Sequence, residues 1–287
     1  MQEQTVLLVG GPDSGKTNYL GRLWLAIRDG VGKIEADGVP NDLEYLNQIA
    51  GFLLQGHFAP RLSGDVTRNK VIIPVKISHK ADTLRHTLIV PDVAGEEWMS
   101  IYRKRGWSDE WEKDFSSVTG CLIFVRAESA AVIPAIDWMA WASLLPNVPQ
   151  EIPDIPTQVV LVDWLQCLRS VFVENMASYR PRVGVIVAAY DLLPDDQKEL
   201  GPEAYLRSNF PLFWQFINAA DDLLDIRVFG TSIVDGDFDA DPDFRERFLD
   251  SSPTEAGYVK YASKTGLQTS KDLGLPILWA MGVESIA

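Results

Sequence analysis

The 287-residue chain is 46% hydrophobic and 23% charged, which is typical of a soluble globular protein with a sizeable core. Its 26 basic and 40 acidic residues give a net charge of −14, so the chain repels polyanions and nucleic acid is not expected as a partner. The sequence has neither a secretion signal nor an uncharged apolar run of about 18 residues, and its two cysteines are expected to stay reduced, so we expect a cytoplasmic protein without a membrane span.

The first predicted element is a strand, a loop and a helix. Thr5–Val9 (TVLLV) is typical of a buried strand, and Asn18–Arg28 repeats apolar residues at helical spacing. Between them, residues 10–17 (GGPDSGKT) fit the phosphate-binding pattern G-x-x-x-x-G-K-[ST]. Lys16 is expected to contact the β- and γ-phosphates, and the Thr17 hydroxyl to coordinate Mg²⁺. The loop residues predicted to bind a nucleotide are Gly10, Asp13, Ser14, Gly15, Lys16 and Thr17.

An amphipathic helix is predicted next, from about Pro40 to Gln55. Two strands follow, Asn69–Ser78 and Leu84–Val90, joined by a polar turn. Pro74 lies inside the first of them, and proline has no N–H to donate to a neighbouring strand. We therefore expect this strand to lie at an edge of the sheet.

The rest of the chain alternates strands with helices. Strands are predicted at Gly120–Arg126, Val183–Ala188 and Ile226–Phe229, and helices near Thr157–Met176, Pro202–Ala219 and Ser270–Gly282. This alternation predicts a doubly wound α/β fold. We expect a single domain, residues 1–287, with insertions at about 30–66, 130–156 and 234–268.

The second strand of the pair runs into PDVAGEEW, where Asp92 and Gly95 form a D-x-x-G motif. Asp92 would hold Mg²⁺ through water, and the Gly95 N–H would meet the γ-phosphate. A P-loop followed by D-x-x-G on adjacent strands resembles the small-GTPase-like branch of P-loop proteins, the Ras, Arf and translation-factor relatives. The resemblance implies a Ras-like mixed six-stranded sheet flanked by helices, and GTP, GDP and Mg²⁺ as ligands.

The resemblance also implies a threonine of the first switch, just before the edge strand, that contacts Mg²⁺ and the γ-phosphate. Thr67 matches this position best, and Ser63 is the alternative. The large insertions and the GHFAPRLS stretch that leads into this region are similar to bacterial GTPases of the double-GTPase type, which are linked to conflict systems.

Base recognition departs from the family pattern [NT]-K-x-D. The strand VGVIVAAYD delivers Asp191 in register, but Ala188 and Ala189 replace the Asn and the Lys that normally lies over the base. Asp191 alone still favours guanine, because adenine offers no matching pair of donors; alternatively, Asp191 only caps the following turn. Thr231 and Ser232 partly match the S-A-K motif that meets the guanine.

Glu96 stands where Ras-like members carry the glutamine that orients the attacking water. A carboxylate is repelled by a triphosphate, so we expect slow hydrolysis, on the order of 10⁻⁴ to 10⁻² s⁻¹ without an arginine finger. Arg61 and Arg68 are either internal fingers or solvated surface residues. Asp13 either shapes its turn or coordinates K⁺, as in loops of the pattern G-x-P-N-x-G-K-S. The residues predicted to act in hydrolysis are Lys16, Thr67, Gly95 and Glu96.

Two further patterns each have two interpretations. Residues 235–246 place Asp235, Asp237, Asp239 and Glu246 at positions of a calcium loop, but Ala240 stands where that loop needs glycine, so a solvated acidic loop is favoured. An apolar stripe at helical spacing either packs on the core or docks a protein partner. It consists of Trp138, Trp141, Leu144 and Leu145.

These patterns predict a GTP-binding and GTP-hydrolysing molecular switch with Mg²⁺ that acts on a protein effector or responds to an activator. Two alternatives stay open. The chain could be a degenerate GTPase that serves as a nucleotide-gated, non-catalytic scaffold, or it could be an ATP-using P-loop ATPase or kinase.

Overall fold

A sheet of nine strands runs through the computed structural model, which describes residues 2–60, 68–79, 82–107, 109–115, 117–134, 155–175, 180–220, 224–251 and 253–283. The strands in these ranges are β1 (Gln2–Val9), β2 (Ile34–Ala36), β3 (Arg68–His79), β4 (Asp82–Val93), β5 (Val118–Arg126), β6 (Arg182–Ala188), β7 (Asp225–Ser232), β8 (Tyr258–Ser263) and β9 (Gly266–Ser270). The α-helices are α1 (Lys16–Asp29), α2 (Leu43–Leu54), α3 (Gly95–Lys104), α4 (Asp109–Phe115), α5 (Thr157–Asn175), α6 (Asp195–Leu200), α7 (Pro202–Asn209), α8 (Pro211–Ala219), α9 (Pro242–Asp250) and α10 (Leu275–Ala280).

Six neighbouring strands form the centre of the sheet, in the order β3-β4-β1-β5-β6-β7. β4, β1, β5, β6 and β7 run parallel, and β3 pairs antiparallel with β4. β2 extends the sheet beyond β3, and the antiparallel strands β8 and β9 extend it beyond β7. The mixed α/β fold is confirmed, but six strands were too few. The carboxyl ends of the parallel strands meet at one edge, where ligands bind in open α/β sheets.

The prediction that the strand with Pro74 lies at the sheet edge is wrong. β2 pairs antiparallel with the second half of β3, up to the pair Ala36 and Val75. Pro74 lies next to Val75, just beyond this last pair, and its carbonyl accepts from the Asp37 N–H at 2.9 Å. Because the two strands stop pairing at Pro74, the N–H that proline lacks is not needed there. The proline therefore limits the length of β2 without preventing β2 from pairing with β3.

Asn41 covers the next stretch of the outer side of β3. Its Oδ1 accepts from the Ile72 N–H at 2.7 Å, its Nδ2 donates to the Lys70 carbonyl at 2.9 Å, and its own N–H donates to the Ile72 carbonyl at 3.1 Å. A side chain thus supplies hydrogen bonds that a neighbouring strand would otherwise supply, which blunts this part of the edge.

Helices cover both faces of the sheet. Val6 and Leu8 of β1 face one cluster, built with α1, α2 and α10, whereas Leu7 and Val9 face a second cluster, built with α3, α5, α7 and α8. Because successive strand residues point to opposite faces, a strand that is covered on both sides consists of consecutive apolar residues. None of the helices in the described ranges combines the length and the apolar character needed to cross a lipid bilayer.

Two helix predictions need correction. The segment Pro202–Ala219 forms two helices, α7 and α8, which meet at Phe210. Pro211 starts α8, and the residue before a proline is disfavoured in the helical region, so Phe210 takes φ −130° and ψ 54°. The predicted helix Ser270–Gly282 is shorter than expected: Ser270 ends β9, and α10 covers only Leu275–Ala280.

Candidate nucleotide site

The loop between β1 and α1 has a backbone that ordinary side chains would disturb. Gly15 has φ +95°, a value that glycine adopts without strain. Asp13 also has a positive φ, +61°, which is uncommon outside glycine and marks local strain. A Cβ atom at Gly10 would lie 2.7 Å from the Ser14 Oγ. The loop therefore has the tight backbone curvature expected of a phosphate cradle.

Lys16 is folded back onto this loop. Its side chain is buried, and Nζ donates to the Gly10 carbonyl at 2.7 Å, to the Gly11 carbonyl at 3.0 Å and to the Ser14 Oγ at 3.2 Å. Burial lowers the pKa of Lys16 to about 8, although the negative charges of Asp92 and Glu96 partly oppose this. The carbonyl contacts place the ammonium group within the loop that would hold the phosphates.

Asp92, near the end of β4, is fully buried next to this lysine. Its Oδ2 accepts a hydrogen bond of 2.6 Å from the Tyr45 hydroxyl, whereas its Oδ1 has no hydrogen-bond partner. Burial raises the pKa of Asp92. The hydrogen bond from Tyr45, the positive charge of Lys16 and the Thr17 hydroxyl all act to lower that pKa. A buried carboxylate oxygen without a donor, close to a threonine hydroxyl, fits a hard cation such as Mg²⁺.

Gly95 brings the start of α3 directly against the phosphate loop. A Cβ atom at this position would lie 2.1 Å from the Pro12 nitrogen and 2.2 Å from the Gly11 carbonyl carbon. No residue but glycine fits such an approach without moving the backbone. Glu96 follows in the first turn of α3, where its side chain is exposed and borders the phosphate groove.

The base of α3 is fastened by an aromatic cluster. The Trp98 indole donates to the Leu8 carbonyl of β1 at 3.1 Å, and the Trp164 indole donates to the Trp98 carbonyl at 2.9 Å. The rings of Trp111 and Trp164 lie 4.7 and 6.0 Å from the Trp98 ring, in edge-to-face geometry. The helix that follows Gly95 is therefore tied to both the central strand and α5.

Two clefts meet at the carboxyl edge of the sheet. The phosphate groove, of about 520 Å³ including its opening to solvent, runs along Pro12–Asn18 and Val93–Glu96. A second cavity, of about 560 Å³ including its opening, lies beside it and is lined by the ends of β6 and β7. The residues shared by the two clefts are Gly15, Asn18 and Arg126. Their continuity gives room for a phosphate chain at one end and a base at the other.

The second cavity contains the residues predicted to recognise the base. Asp191, Thr231, Ala188 and Ala189 all line it, and Ala188 and Thr231 are direct neighbours across β6 and β7. The Thr231 Oγ1 is buried without a hydrogen-bond partner, so it has unused capacity for a ligand atom. This cavity is thus assembled at the ends of two neighbouring strands.

Asp191 and Ser232 form a supporting pair at this cavity. Burial raises the pKa of Asp191, and a hydrogen bond from Ser232 opposes that shift. Ser232 is fully buried, and its Oγ accepts from the Asp235 N–H at 2.8 Å. Ser232 therefore orients Asp191 and the following loop, whereas Asp191 itself borders the cavity.

Arg126 is a site residue that the sequence patterns missed. It ends β5, pairs in register with Ala188, and places Nη1 3.2 Å from the Asp13 Oδ1. The Arg126 guanidinium therefore pairs with the same Asp13 carboxylate that would coordinate K⁺ in the other interpretation. An available signal was the position of an arginine at the carboxyl end of the buried strand GCLIFVR, at the ligand-binding edge of a parallel sheet.

Phe58 and Asn18 also belong to the site without having been predicted. The Phe58 ring lines the base cavity and lies 5.0 Å from the Phe238 ring. The Asn18 Oδ1 accepts from the Ala59 N–H at 2.7 Å, which ties the segment around Phe58 to the start of α1. For Phe58, the sequence signal was its aromatic side chain within the stretch GHFAPRLS.

A sequence model of the family described as Double-GTPase 1 matches residues 7–280. The chain belongs to the Double-GTPase 1 family. This match confirms the resemblance to P-loop GTPases of the double-GTPase type, and the family description supports GTP binding and GTP hydrolysis. A comparison with curated proteins found no match.

Some predictions for this Double-GTPase 1 protein lie outside the described residues. They concern Thr67, Ser63, Arg61 and the stripe of Trp138, Trp141, Leu144 and Leu145. The backbone of Arg68 starts β3, so the segment that contains Thr67 leads directly into the strand that pairs with β4.

The acidic loop of the Double-GTPase 1 chain satisfies its own backbone. The Asp237 Oδ1 accepts from the N–H groups of Asp239 and Ala240, and Asp241 caps α9 through the Phe244 N–H. Glu246 lies on this helix. Within the residues that the structure describes, no group of three or more His, Cys, Asp or Glu residues could hold a metal ion. The calcium interpretation is therefore not supported there.

Proposed function

We propose that this Double-GTPase 1 protein is a molecular switch that binds GTP with Mg²⁺, hydrolyses it slowly and acts through a protein partner. The observation that carries the proposal is the junction of the two clefts at Gly15 and Arg126, with Lys16 at one end and Asp191 at the other. A nucleoside triphosphate would lie along the two clefts with its phosphates near Lys16 and its base near Asp191.

The phosphates would be held mainly by the backbone. The loop N–H groups and the amino terminus of α1 favour anions, and the Gly95 N–H is close because this glycine lies against Gly11 and Pro12. Lys16 would exchange its carbonyl contacts for phosphate oxygens, which favour its charged form. Asp92 and Thr17 would hold Mg²⁺, which neutralises phosphate charge when it is bound.

Selection of guanine would depend on Asp191. Its carboxylate can accept from the N1–H and the exocyclic amino group of guanine, whereas adenine presents an acceptor in place of the N1–H donor. The unused hydroxyl of Thr231 is a further contact at the base. Phe58 would supply an apolar wall, and its ring offers a surface for stacking.

Slow hydrolysis follows from Glu96. Its exposed carboxylate borders the phosphate groove and opposes the approach of more negative charge. A carboxylate can orient a water molecule, but it does so at an electrostatic cost beside a triphosphate. The rate of a chain of this kind would rise if a protein partner supplied an arginine.

The test starts with the nucleotide that the purified protein retains, identified by chromatography after denaturation. We expect GTP or GDP, and tighter binding of labelled GTP than of labelled ATP. Single-turnover assays would then follow phosphate release in the presence of Mg²⁺. Tighter binding of ATP would contradict the guanine assignment.

A non-catalytic scaffold is the second candidate. The fastening of α3 by Trp98 favours it, because a tied helix has less freedom to rearrange during hydrolysis. Tight GTP binding without phosphate release over several hours would support the scaffold and contradict the GTPase. Phosphate release at a rate that Lys16→Ala abolishes would contradict the scaffold.

A further inference from the structure

Helix α2, which lies within the insertion between α1 and β3, delivers one side chain into the phosphate site. We propose that Tyr45 is a positioning residue that orients the Asp92 carboxylate and makes Mg²⁺ affinity depend on how α2 is seated. This inference rests on the proposed function, in which Asp92 holds Mg²⁺ beside a guanine nucleotide. On this inference, the insertion that contains α2 contributes to the Mg²⁺ affinity of the site.

The contact is short and fully enclosed. The Tyr45 hydroxyl donates to the Asp92 Oδ2 at 2.6 Å, a distance typical of a hydroxyl bound to a carboxylate. Tyr45 is 8% exposed and Asp92 0% exposed. Because a carboxylate is planar, a bond that fixes Oδ2 also fixes the direction of Oδ1, the oxygen that has no partner.

The position of Tyr45 is itself well determined. Asp42 caps α2, and its Oδ1 accepts from the Tyr45 N–H at 3.0 Å. The helix packs closely on α1: a Cβ atom at Gly21 would lie 3.2 Å from the carbonyl of Ile49, and the Trp24 indole donates to the Asn47 Oδ1 at 3.1 Å. Helix α1, which starts at Lys16 and carries Thr17, therefore fixes the position of α2 and of Tyr45 on it.

The same end of α2 is attached to the sheet. Asn41, just before the helix, bonds to Lys70 and Ile72 of β3, and Asn69 of that strand lies directly opposite Asp92 on β4. α1, α2 and β3 thus surround one carboxylate. A shift of α2 would change the Tyr45–Asp92 distance before it changed any contact of the phosphate loop itself.

Tyr45→Phe tests this role, because it removes the hydroxyl and keeps the ring. The measurement is the release rate of a fluorescent GDP analogue as a function of Mg²⁺ concentration. We expect the Mg²⁺ concentration at half effect to rise about 10-fold, the size of effect expected when the partner of a metal ligand is lost. Release in the presence of EDTA should stay within about 2-fold of wild type, since the phosphate loop is unchanged.

Asn47→Ala tests the dependence on α2. It removes the hydrogen bond that Trp24 donates, loosens α2 on α1 and leaves the Tyr45 hydroxyl in place, so the Mg²⁺ midpoint should rise, by less than in Tyr45→Phe. An unchanged midpoint in Asn47→Ala would contradict the dependence on how α2 is seated. A folded Tyr45→Phe protein with the wild-type Mg²⁺ midpoint would overturn the inference. Wild-type protein that binds no guanine nucleotide would overturn the proposed function instead, and this inference with it.

Asp92→Asn provides a second test that does not depend on the stability of one variant. If Tyr45 acts through Asp92, adding Tyr45→Phe to Asp92→Asn should change the Mg²⁺ response by less than about 2-fold. Equal effects of Tyr45→Phe with and without Asp92→Asn would show that the tyrosine contributes only to folding, and would refute the positioning role.

Discussion

The phosphate end and the base end of the cleft are built in different ways. At the phosphate end, one unbroken loop, residues 10–17, supplies most of the polar groups, and Gly95 closes against it. At the base end, Arg126 ends β5, Thr231 lies on β7 and Asp191 lies in the turn after β6, so the three residues are far apart in the chain. A phosphate site can therefore be recognised from a short motif, whereas a base site depends on the strand order.

The junction of the two clefts is less buried than the phosphate end. Lys16 and Asp92 are buried, whereas Arg126 and Asp13 form a partly exposed ion pair at the junction. Because all nucleoside triphosphates share the same phosphate chain, substitutions at the phosphate end should affect all nucleotides alike. Substitutions at the base end should change the preference among them.

Lys16→Ala should have the largest effect. Loss of a buried ammonium should weaken both GTP and ATP by at least about 100-fold, as expected for a desolvated charge contact. Titration of labelled nucleotides measures this, and Lys264→Ala, in the turn between β8 and β9, is the control. Unchanged GTP affinity in the Lys16 variant would remove the loop from the site.

The same lysine predicts a pH dependence in the wild-type protein. Burial lowers the pKa of Lys16 to about 8, and only the charged form binds phosphate well. GTP affinity should therefore be constant below that pH and fall as the pH rises through it. A flat profile between pH 7 and about 9.5 would contradict the role of Lys16.

Asp191→Ala should come next and should separate the two ends. We expect GTP affinity to fall by about 100-fold, from the loss of two charge-assisted hydrogen bonds, with little change for ATP. Asp195→Ala removes an acidic residue from the next turn, where it pairs with Lys198, and should leave the preference intact. Equal losses for GTP and ATP in the Asp191 variant would show that Asp191 only shapes the turn.

Arg126→Ala should have a smaller effect. The guanidinium lies at the junction of the clefts and offsets the Asp13 charge, so its loss should weaken GTP by about 5- to 10-fold. Arg85→Ala breaks an exposed ion pair with Asp37 and serves as the control. If Asp13→Asn restores GTP affinity in the Arg126 variant, the arginine acts mainly by cancelling the Asp13 charge. If the wild-type protein instead needs K⁺ for hydrolysis, this would favour coordination of K⁺ by Asp13.

Ser232→Ala should have the smallest effect, because Ser232 acts on Asp191 and on the Asp235 N–H. Loss of such a hydrogen bond corresponds to about 1 kcal/mol, or about 5-fold in GTP affinity. Ser251→Ala removes a similar bond, to the Phe248 carbonyl, and should leave binding unchanged. A larger loss than in Asp191→Ala would show that Ser232 contacts the base directly.

The buried core strands were predictable because their apolar runs are long and continuous. The strands β2, β8 and β9 were missed because they are short or mostly polar, as in IEA and GLQTS. Their pairing depends on neighbours that are distant in the sequence. Pro74 misled the edge prediction because a missing N–H matters only where a partner strand would use it.

The candidate site divides along the same lines. Local motifs identified Lys16, Asp92 and Gly95. Tyr45 and Arg126 were missed because their partners lie 47 and 113 residues away. Contacts of this kind depend on the folded arrangement and leave no periodic signal in the sequence.

The aromatic cluster beneath α3 gives the molecule an intrinsic optical probe. Trp98 lies one helical turn after Gly95, and its indole N–H, in a dry environment, is bonded to the central strand. Tryptophan emission is sensitive to local polarity and to neighbouring rings, and Trp98 lies within 6.0 Å of Trp164. The chain has nine tryptophans, so the fluorescence change that a nucleotide causes in the wild-type protein and not in Trp98→Phe would report how far α3 responds.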